Sequence, residues 1–311
     1  MFQILGNIIF PVFSLIFLGY LLKLKGIVQA CYVKTANQIV YYAALPAMLF
    51  SATLKAPLRA NFDEKASLCV LIALGILVVM ALWLTKIIRT ADGDRGTFLQ
   101  GCFHGNIGYM SYAIAYYALG ESQFAKTAIL SSVVIIGQNL LAVWALTVFK
   151  PDSKPTRKGK VKLLLKYALQ NPIILSVVSG VFCSATGFPV PGPVRQGLDM
   201  LSGMALPTAL ILIGASLSFS ALQTHAKEMI GISVLKLVSF PALGYALMKI
   251  AQVPEPLVVS GLILLGSPPA TITYVMAEEL GGNPELAANS VTVGTLLSAV
   301  TYSILLWLLN R

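Results

Sequence analysis

Residues 101–108 read GCFHGNIG and lie inside an apolar segment that is otherwise typical of a membrane helix. Glycine costs about 1 kcal/mol relative to alanine in a helix, and Gly105 and Gly108 flank Asn106, with His104 just before them. Unwound backbone at membrane depth is tolerated only where protein or a water-filled cavity satisfies its polar groups. The stretch therefore predicts a broken helix at a polar site within the protein.

A second stretch, GSPPAT at residues 266–271, has the same character in the other half of the chain. Pro268 and Pro269 remove backbone donors and clash with the preceding helical turn. Gly266 follows Gly105 by 161 residues. Paired interruptions at corresponding positions of two halves are the best sequence indication of a secondary transporter's substrate site.

Composition places the chain in a membrane. Of its 311 residues, 57% are hydrophobic and 11% are charged, whereas a soluble domain carries about 25% charged residues. The mean hydropathy is +0.81. We attribute the formal net charge of +10 to basic cytoplasmic loops, because basic and aromatic residues do not interleave as they do on a nucleic-acid surface. We therefore expect a lipid bilayer and no nucleic acid as a partner.

Apolar runs of about 20 residues suit a hydrocarbon core about 30 Å thick. Ten such runs predict ten transmembrane helices, and the first is expected to be a retained helix and not a cleaved signal peptide. The runs are residues 4–24, 35–54, 66–88, 97–118, 125–149, 167–187, 196–219, 228–250, 256–279 and 287–309.

An internal repeat runs through these spans at the same offset of 161 residues. The ungapped register pairs Pro11 with Pro172, Gly19 with Gly180, Gly26 with Gly187, Ala44-Leu45-Pro46 with Ala205-Leu206-Pro207, and Gly105 with Gly266. Five spans in each repeat force the second repeat to enter the membrane from the opposite side. The predicted fold is an all-α membrane protein of two inverted five-helix repeats, in which the broken helices four and nine cross.

Domain boundaries follow from this repeat. Residues 1–149 form the first repeat, 150–166 a basic cytoplasmic linker, and 167–311 the second, inverted repeat. With the N-terminus outside, the inner loops carry 14 lysines and arginines and the outer segments carry 7. The positive-inside rule therefore predicts an inner-membrane protein with both termini on the periplasmic side.

The two interruptions supply the candidate binding groups. Asn106 offers an amide donor to a carboxylate or a carbonyl to a cation, and a half-helix N-terminus adds positive partial charge. Ser267, Thr271 and the backbone around Gly105, Gly108, Pro268 and Pro269 complete the predicted substrate site. The structural alternative is that the glycines permit close packing and Asn106 caps a helix. Gly101, Pro46 and Pro207 are the predicted hinge positions.

Two ionisable residues at membrane depth have open alternatives. His104 is either part of the site, as a proton relay, or a hydrogen-bonded core residue. Lys236 is the one basic residue well inside a predicted span. Its candidate partners are an anionic substrate, Glu278 or Glu279, or Asp199, and the alternative is a structural ion pair or a side chain that reaches the interface.

Three further polar positions remain open between ligand contact and structure: Asp199 near the start of span seven, Asn37 with Gln38 in span two, and the amide pair Gln138-Asn139 in span five. Catalytic motifs are missing, with no phosphate loop, no GxSxG and no HExxH. The four cysteines are scattered without metal-ligand spacing. We therefore expect neither an enzyme nor a cofactor or metal site.

The chain resembles the auxin efflux carrier family, in its short bacterial form, across all ten spans. Five segments carry the resemblance: ANQIVYYAALPAMLFSATL (36–54), FHGNIGYMSYAI (103–114), LPTALILIGASL (206–217), LKLVSFPAL (235–243) and LLGSPPATITYVMAEELGG (264–282). The family is similar in fold to plant PIN-type carriers and bile-acid sodium symporters. Plant carriers have a proline at both crossovers, whereas the first crossover here has glycines and Asn106 instead.

This resemblance implies a scaffold of helices 1, 2, 6 and 7 and a transport domain of helices 3–5 and 8–10. It also implies a carrier for a small organic anion, a carboxylate such as malate, malonate or an auxin-like acid. A proton or Na⁺ is a candidate coupling ion, and a homodimer is a candidate assembly. The alternative function is a membrane-embedded receptor or sensor that binds its ligand without net transport.

Overall fold

The computed structural model describes residues 5–55, 62–150, 171–219 and 224–309, and within these ranges the regular structure is helical. The predicted linker at 150–166 lies outside them apart from Lys150, as do the first residues of the sixth predicted span. The helices are α1 (residues 5–24), α2 (30–54), α3 (Glu64–Ile87), α4 (Arg95–Phe103), α5 (Ile107–Val148), α6 (Pro172–Thr186), α7 (Gly192–Ser216), α8 (Ala226–Ile250), α9 (Glu255–Leu265), α10 (Ile272–Leu280) and α11 (Pro284–Leu309).

Six of these helices are long and apolar enough to cross a membrane, namely α1, α3, α5, α7, α8 and α11. The apolar helices α6 and α9 are shorter. Helix α5 consists of two helical segments that meet at a kink at Gly120, whose φ of 74° and ψ of 173° are not helical. Large apolar side chains such as Val79, Trp83 and Ile250 are exposed on the outer surface, as lipid-facing positions require. The chain is a multi-pass, all-helical membrane protein.

Three prolines shape their helices in the same way. A π-helical turn ends two residues before Pro11, Pro46 and Pro241, at Leu5–Ile9, Val40–Ala44 and Leu235–Ser239. Proline has no N–H for the carbonyl four residues earlier and its ring clashes with that turn. The helix widens instead, so that the N–H of Leu45 bonds Val40 O, five residues earlier.

Packing divides the helices into two groups. The four-helix group consists of α1, α2, α6 and α7, in which α1 packs on α7 and α2 packs on both α6 and α7. The crossing group consists of α3–α5 and α8–α11, which pack on one another. The groups meet mainly where α5 passes the C-terminal half of α2.

Glycines bring backbones into contact inside the four-helix group. A Cβ atom added at Gly214 of α7 would overlap the Ile16 carbonyl oxygen of α1 and lie 2.9 Å from Tyr20 N. A Cβ atom at Gly19 of α1 would lie 2.9 Å from Ile211 Cα. No side chain can yield at these points, because the neighbouring atoms are backbone. The small residues therefore set the distance between α1 and α7.

Replacing Gly214 by alanine should destabilise the protein, because α1 and α7 must separate. Overpacking of this kind costs about 1–3 kcal/mol. The matched control is Gly203→Ala in the same helix, since a Cβ atom there meets nothing within 4 Å. Thermal unfolding of the purified protein should show a clear loss for Gly214→Ala and none for Gly203→Ala. Equal midpoints for the two variants would contradict the close approach.

Candidate functional site

Two helices break at the same place in the fold. Helix α4 ends at Phe103, and α5 begins at Ile107. Between them, His104 (φ −80°, ψ 92°) and Asn106 (φ −77°, ψ 64°) leave the helical conformation. Helix α9 ends at Leu265 and α10 begins at Ile272. Residues 261–270 are all buried, so this unwound backbone needs partners within the protein.

The two unwound segments are those partners for each other. Gly105 and Pro269 form an isolated antiparallel bridge. Asn106 N donates to Pro268 O at 2.8 Å, and Ala270 N donates to His104 O at 2.9 Å. Pro269, which has no N–H, sits between these two bonds and leaves no donor unpaired. The segments therefore cross, and we call residues 104–106 and 266–270 the crossing.

A side-chain amide from α5 completes the pairing of Gly105. Gln138 Oε1 accepts from Gly105 N at 3.0 Å, and Gln138 Nε2 donates to Gly105 O at 3.2 Å. Gln138 is 4% exposed. The amide presents an acceptor and a donor side by side, in the same way as a neighbouring strand would. Gln138 thereby pairs both backbone groups of Gly105 and stabilises the first helix break.

Lys236 of α8 reaches the second break. Its Nζ donates to Leu265 O at 2.7 Å and lies 3.4 Å from Ser267 Oγ. The side chain is fully buried, and its ammonium lies 4.9 Å from the centre of the Phe240 ring. Lys236 therefore does not reach the membrane interface. Within the described ranges, no carboxylate is within ion-pair distance of it.

Ser267, together with the same lysine, explains why position 105 is glycine. A Cβ atom there would overlap Ser267 Oγ and lie 3.1 Å from Lys236 Nζ. Ser267 is fully buried and donates to Leu264 O at 2.8 Å. A larger residue would push the two segments apart and displace the ammonium.

Asn106 carries a buried side-chain donor at the crossing that has no hydrogen-bond partner in the described part of the chain. The residue is 4% exposed, and its Nδ2 is buried without a hydrogen-bond partner among the described residues. A buried, unpaired polar group costs about 1–3 kcal/mol. A ligand acceptor that bonds this amide would remove that cost.

His104 belongs to the crossing but faces a different neighbour. It is 2% exposed, and its Nδ1 lies 3.3 Å from Gln100 Nε2. Gln100 Nε2 also donates to Met276 Sδ of α10 at 3.3 Å. The Gln100 amide thus links α4 to α10, and the buried His104 ring lies against this amide.

The segment after Asn106 lies between the two helix groups. A Cβ atom at Gly108 would lie 3.5 Å from both Leu45 of α2 and Ile173 of α6. The next residue, Tyr109, donates its hydroxyl to Asn37 Oδ1 of α2 at 2.8 Å. This hydrogen bond connects the crossing group to the four-helix group close to the crossing.

The structure brings seven of the predicted site residues together: His104, Gly105, Asn106, Ser267, Pro268, Pro269 and Lys236. Thr271 is half-buried just outside, at the start of α10, without a side-chain cap. Gly101 lies inside α4, where a Cβ atom would meet Ile232 of α8. Pro46 and Pro207 lie inside α2 and α7. Gly108 lies at the group boundary.

The acidic residues named as partners of Lys236 lie elsewhere. Glu278, Glu279 and Asp199 are exposed, and none of them pairs with Lys236.

Sequence reasoning did not predict two of the contacts described above, Gln138 with Gly105 and Asn37 with Tyr109. Gln138 and Asn37 were left open between structure and ligand, and the only signal for each was an amide inside an apolar span.

A multi-pass helical protein with two broken helices that cross at a buried polar point is built as a transmembrane transport protein. Residues 7–306 match the family described as Membrane transport protein. The chain belongs to this family, and the match confirms the resemblance to the auxin efflux carriers.

Curated relatives agree with this assignment. The chain is 28% identical over 315 residues to the "Putative malonate transporter" of Rhizobium meliloti, covering 98% of this chain and 95% of that protein. It is 25% identical over 310 residues to an uncharacterized transporter of Methanocaldococcus jannaschii, covering 97% and 98%. A third, an uncharacterized transporter of Methanothermobacter thermautotrophicus, is 24% identical over 303 residues. The family and these names indicate a transporter and not an enzyme.

Gln138→Leu should destabilise the protein, because it leaves the Gly105 N–H buried without a partner. The expected cost is about 1–3 kcal/mol. Asn139→Leu is the matched control, since Asn139 is half-buried beside Gln138 and holds no part of the crossing. A lowered unfolding temperature for Gln138→Leu alone is the expected result. Equal unfolding temperatures for the two variants would show that Gln138 does not stabilise the helix break.

Proposed function

We propose that the protein is a secondary transporter that moves a small organic anion across the membrane by alternating access. The observation that carries the proposal is the buried, unpartnered Asn106 Nδ2 at the crossing. An amide donor satisfies a carboxylate oxygen without placing a charge in the site. A hydrogen bond to a charged group is worth about 1.5–3 kcal/mol.

Helix ends add to this preference for an anion. Helix α5 begins at Ile107, directly after Asn106, and α10 begins at Ile272, directly after the second break. The first N–H groups of a helix lack intrahelical partners and carry positive partial charge. Both helix starts lie next to the crossing, so they favour negative charge there, and the Lys236 amino group lies nearby.

The four-helix and crossing groups supply the two bodies that alternating access needs. In the proposed cycle the crossing group moves as a unit against the four-helix group and exposes the crossing to each side in turn. Gly108 and the Tyr109–Asn37 hydrogen bond lie on the boundary between the groups. The bond breaks and reforms as the groups move. Gly101, Pro46 and Pro207 are the candidate hinges for this movement.

Ten spans in two inverted repeats are part of the proposal, and the helix contacts support it. Gly19 of α1 approaches Ile211 of α7. The positions related to these two by the 161-residue offset are Gly180 and Phe50, and a Cβ atom at Gly180 would lie 2.8 Å from Phe50 O. The same contact thus occurs twice, with the two repeats exchanged. That exchange is expected of a two-fold axis relating the repeats.

The crossing and the family both support a carboxylate as the substrate class. A single amide and two helix starts suit a carboxylate, and one relative bears malonate in its name. Malonate, a dicarboxylate, is therefore the first compound to test, followed by monocarboxylates. We further propose an inner-membrane location with both termini outside, on the distribution of lysine and arginine between the loops.

Asn106→Ala should weaken malonate binding by about ten- to a hundredfold, the equivalent of one hydrogen bond to a charged group. The empty protein should be at least as stable as before, since the deleted donor is buried and has no partner in it. Asn106→Asp should bind malonate more weakly still, because it places a negatively charged side chain against a carboxylate of the substrate. Calorimetric titration of the purified protein and uptake into liposomes measure these effects, and uptake separates a transporter from a receptor.

Asn139→Ala is the control for this series, because it removes an α5 amide that makes no hydrogen bond to the crossing. It should bind and transport as the native protein does. A folded Asn106→Ala protein with native affinity would place the site elsewhere. Failure of the native protein to move any carboxylate would contradict the proposed function itself.

A further inference from the structure

The broken end of α9 presents oxygen atoms of the kind that bind a cation. Helix α9 stops at Leu265, so its last carbonyls lack the intrahelical partners of a continuous helix. These groups carry the negative end of the helix dipole. In secondary transporters, unwound carbonyls and half-helix C-terminal ends coordinate the coupling Na⁺. At this site, Leu265 O and Ser267 Oγ are the available oxygens.

The Lys236 ammonium already bonds to this place. Nζ lies 2.7 Å from Leu265 O and 3.4 Å from Ser267 Oγ. The π turn Leu235–Ser239, which precedes Pro241, contains Lys236 and sets its direction. Phe240 covers the ammonium at 4.9 Å from its ring centre, a favourable distance for a cation over an aromatic face. The ammonium is thus a cation that belongs to the chain itself, and these contacts hold it at the end of α9.

The surrounding residues favour this tethered cation over a metal ion. Among the described residues, no carboxylate pairs with Lys236, so its charge is balanced by the Leu265 carbonyl, the Ser267 hydroxyl and the helix end. A second cation beside the ammonium would be repelled by it.

We propose that the Lys236 ammonium takes the place of a coupling cation, so that this carrier moves its anion without Na⁺. The inference rests on the proposed function and specifies the driving force for transport. Lys236 lies in the crossing group and travels with the crossing in both directions. Its charge cancels over a complete cycle, and the net charge moved is that of the anion. Transport is therefore driven by the membrane potential.

Uptake of radiolabelled malonate into proteoliposomes tests this directly. A potassium diffusion potential, positive inside, should accelerate uptake, and exchange of external sodium chloride for choline chloride should not change the rate. Uptake that needs a sodium gradient would overturn the inference while leaving the proposed function intact. So would uptake that follows a pH gradient and ignores the potential, because the ammonium would then not stay charged.

A measurement without substrate tests the cation site separately. The unfolding temperature of the native protein should be the same in sodium chloride and in choline chloride. Lys236→Ala frees Leu265 O and Ser267 Oγ, so sodium chloride should raise its unfolding temperature above the value in choline chloride. Lys249→Ala is the matched control, since Lys249 lies in the same helix but pairs with Glu255 at the surface. A sodium-dependent rise in the native protein would overturn the inference.

Discussion

The need to pair every buried backbone group at membrane depth shapes this structure most. Two helices stop in the middle of the protein, and the exposed backbone must be bonded without water. The chain meets this need by crossing the two segments, so that each supplies the other's partner through Asn106 N and Ala270 N. Gln138 pairs with Gly105 and Lys236 with Leu265. One buried side-chain donor at the crossing, Asn106 Nδ2, has no partner among the described residues.

Packing within the four-helix group differs from packing at the boundary between the two groups. In the four-helix group, Gly19 and Gly214 place backbone against backbone, which fixes α1 and α7 firmly together. At the boundary between the groups, Gly108 meets only methyl groups, and a hydrogen bond joins the Tyr109 and Asn37 side chains. Side-chain contacts of this kind can break and reform, which suits a carrier in which one body moves against the other.

Sequence reasoning located the helix breaks because glycine and proline act locally. It could also locate Asn106 and Ser267, which lie within those breaks. It could not choose a partner for Lys236, since depth along a span does not say which way a side chain faces. The π turn before Pro241 and the end of α9 decide that direction. Likewise, the pairing of Gln138 with Gly105 depends on how α5 lies after its bend at Gly120, which spacing alone does not reveal.

The central claim is that the crossing binds a carboxylate through Asn106. Crystals of the protein grown with bromomalonate test it most directly, because anomalous scattering from bromine locates the anion. We predict a bromine peak at the crossing, with a carboxylate oxygen within hydrogen-bond distance of Asn106 Nδ2 and beside the start of α5. A bromomalonate bound elsewhere, with no carboxylate in contact with Asn106, would contradict the account.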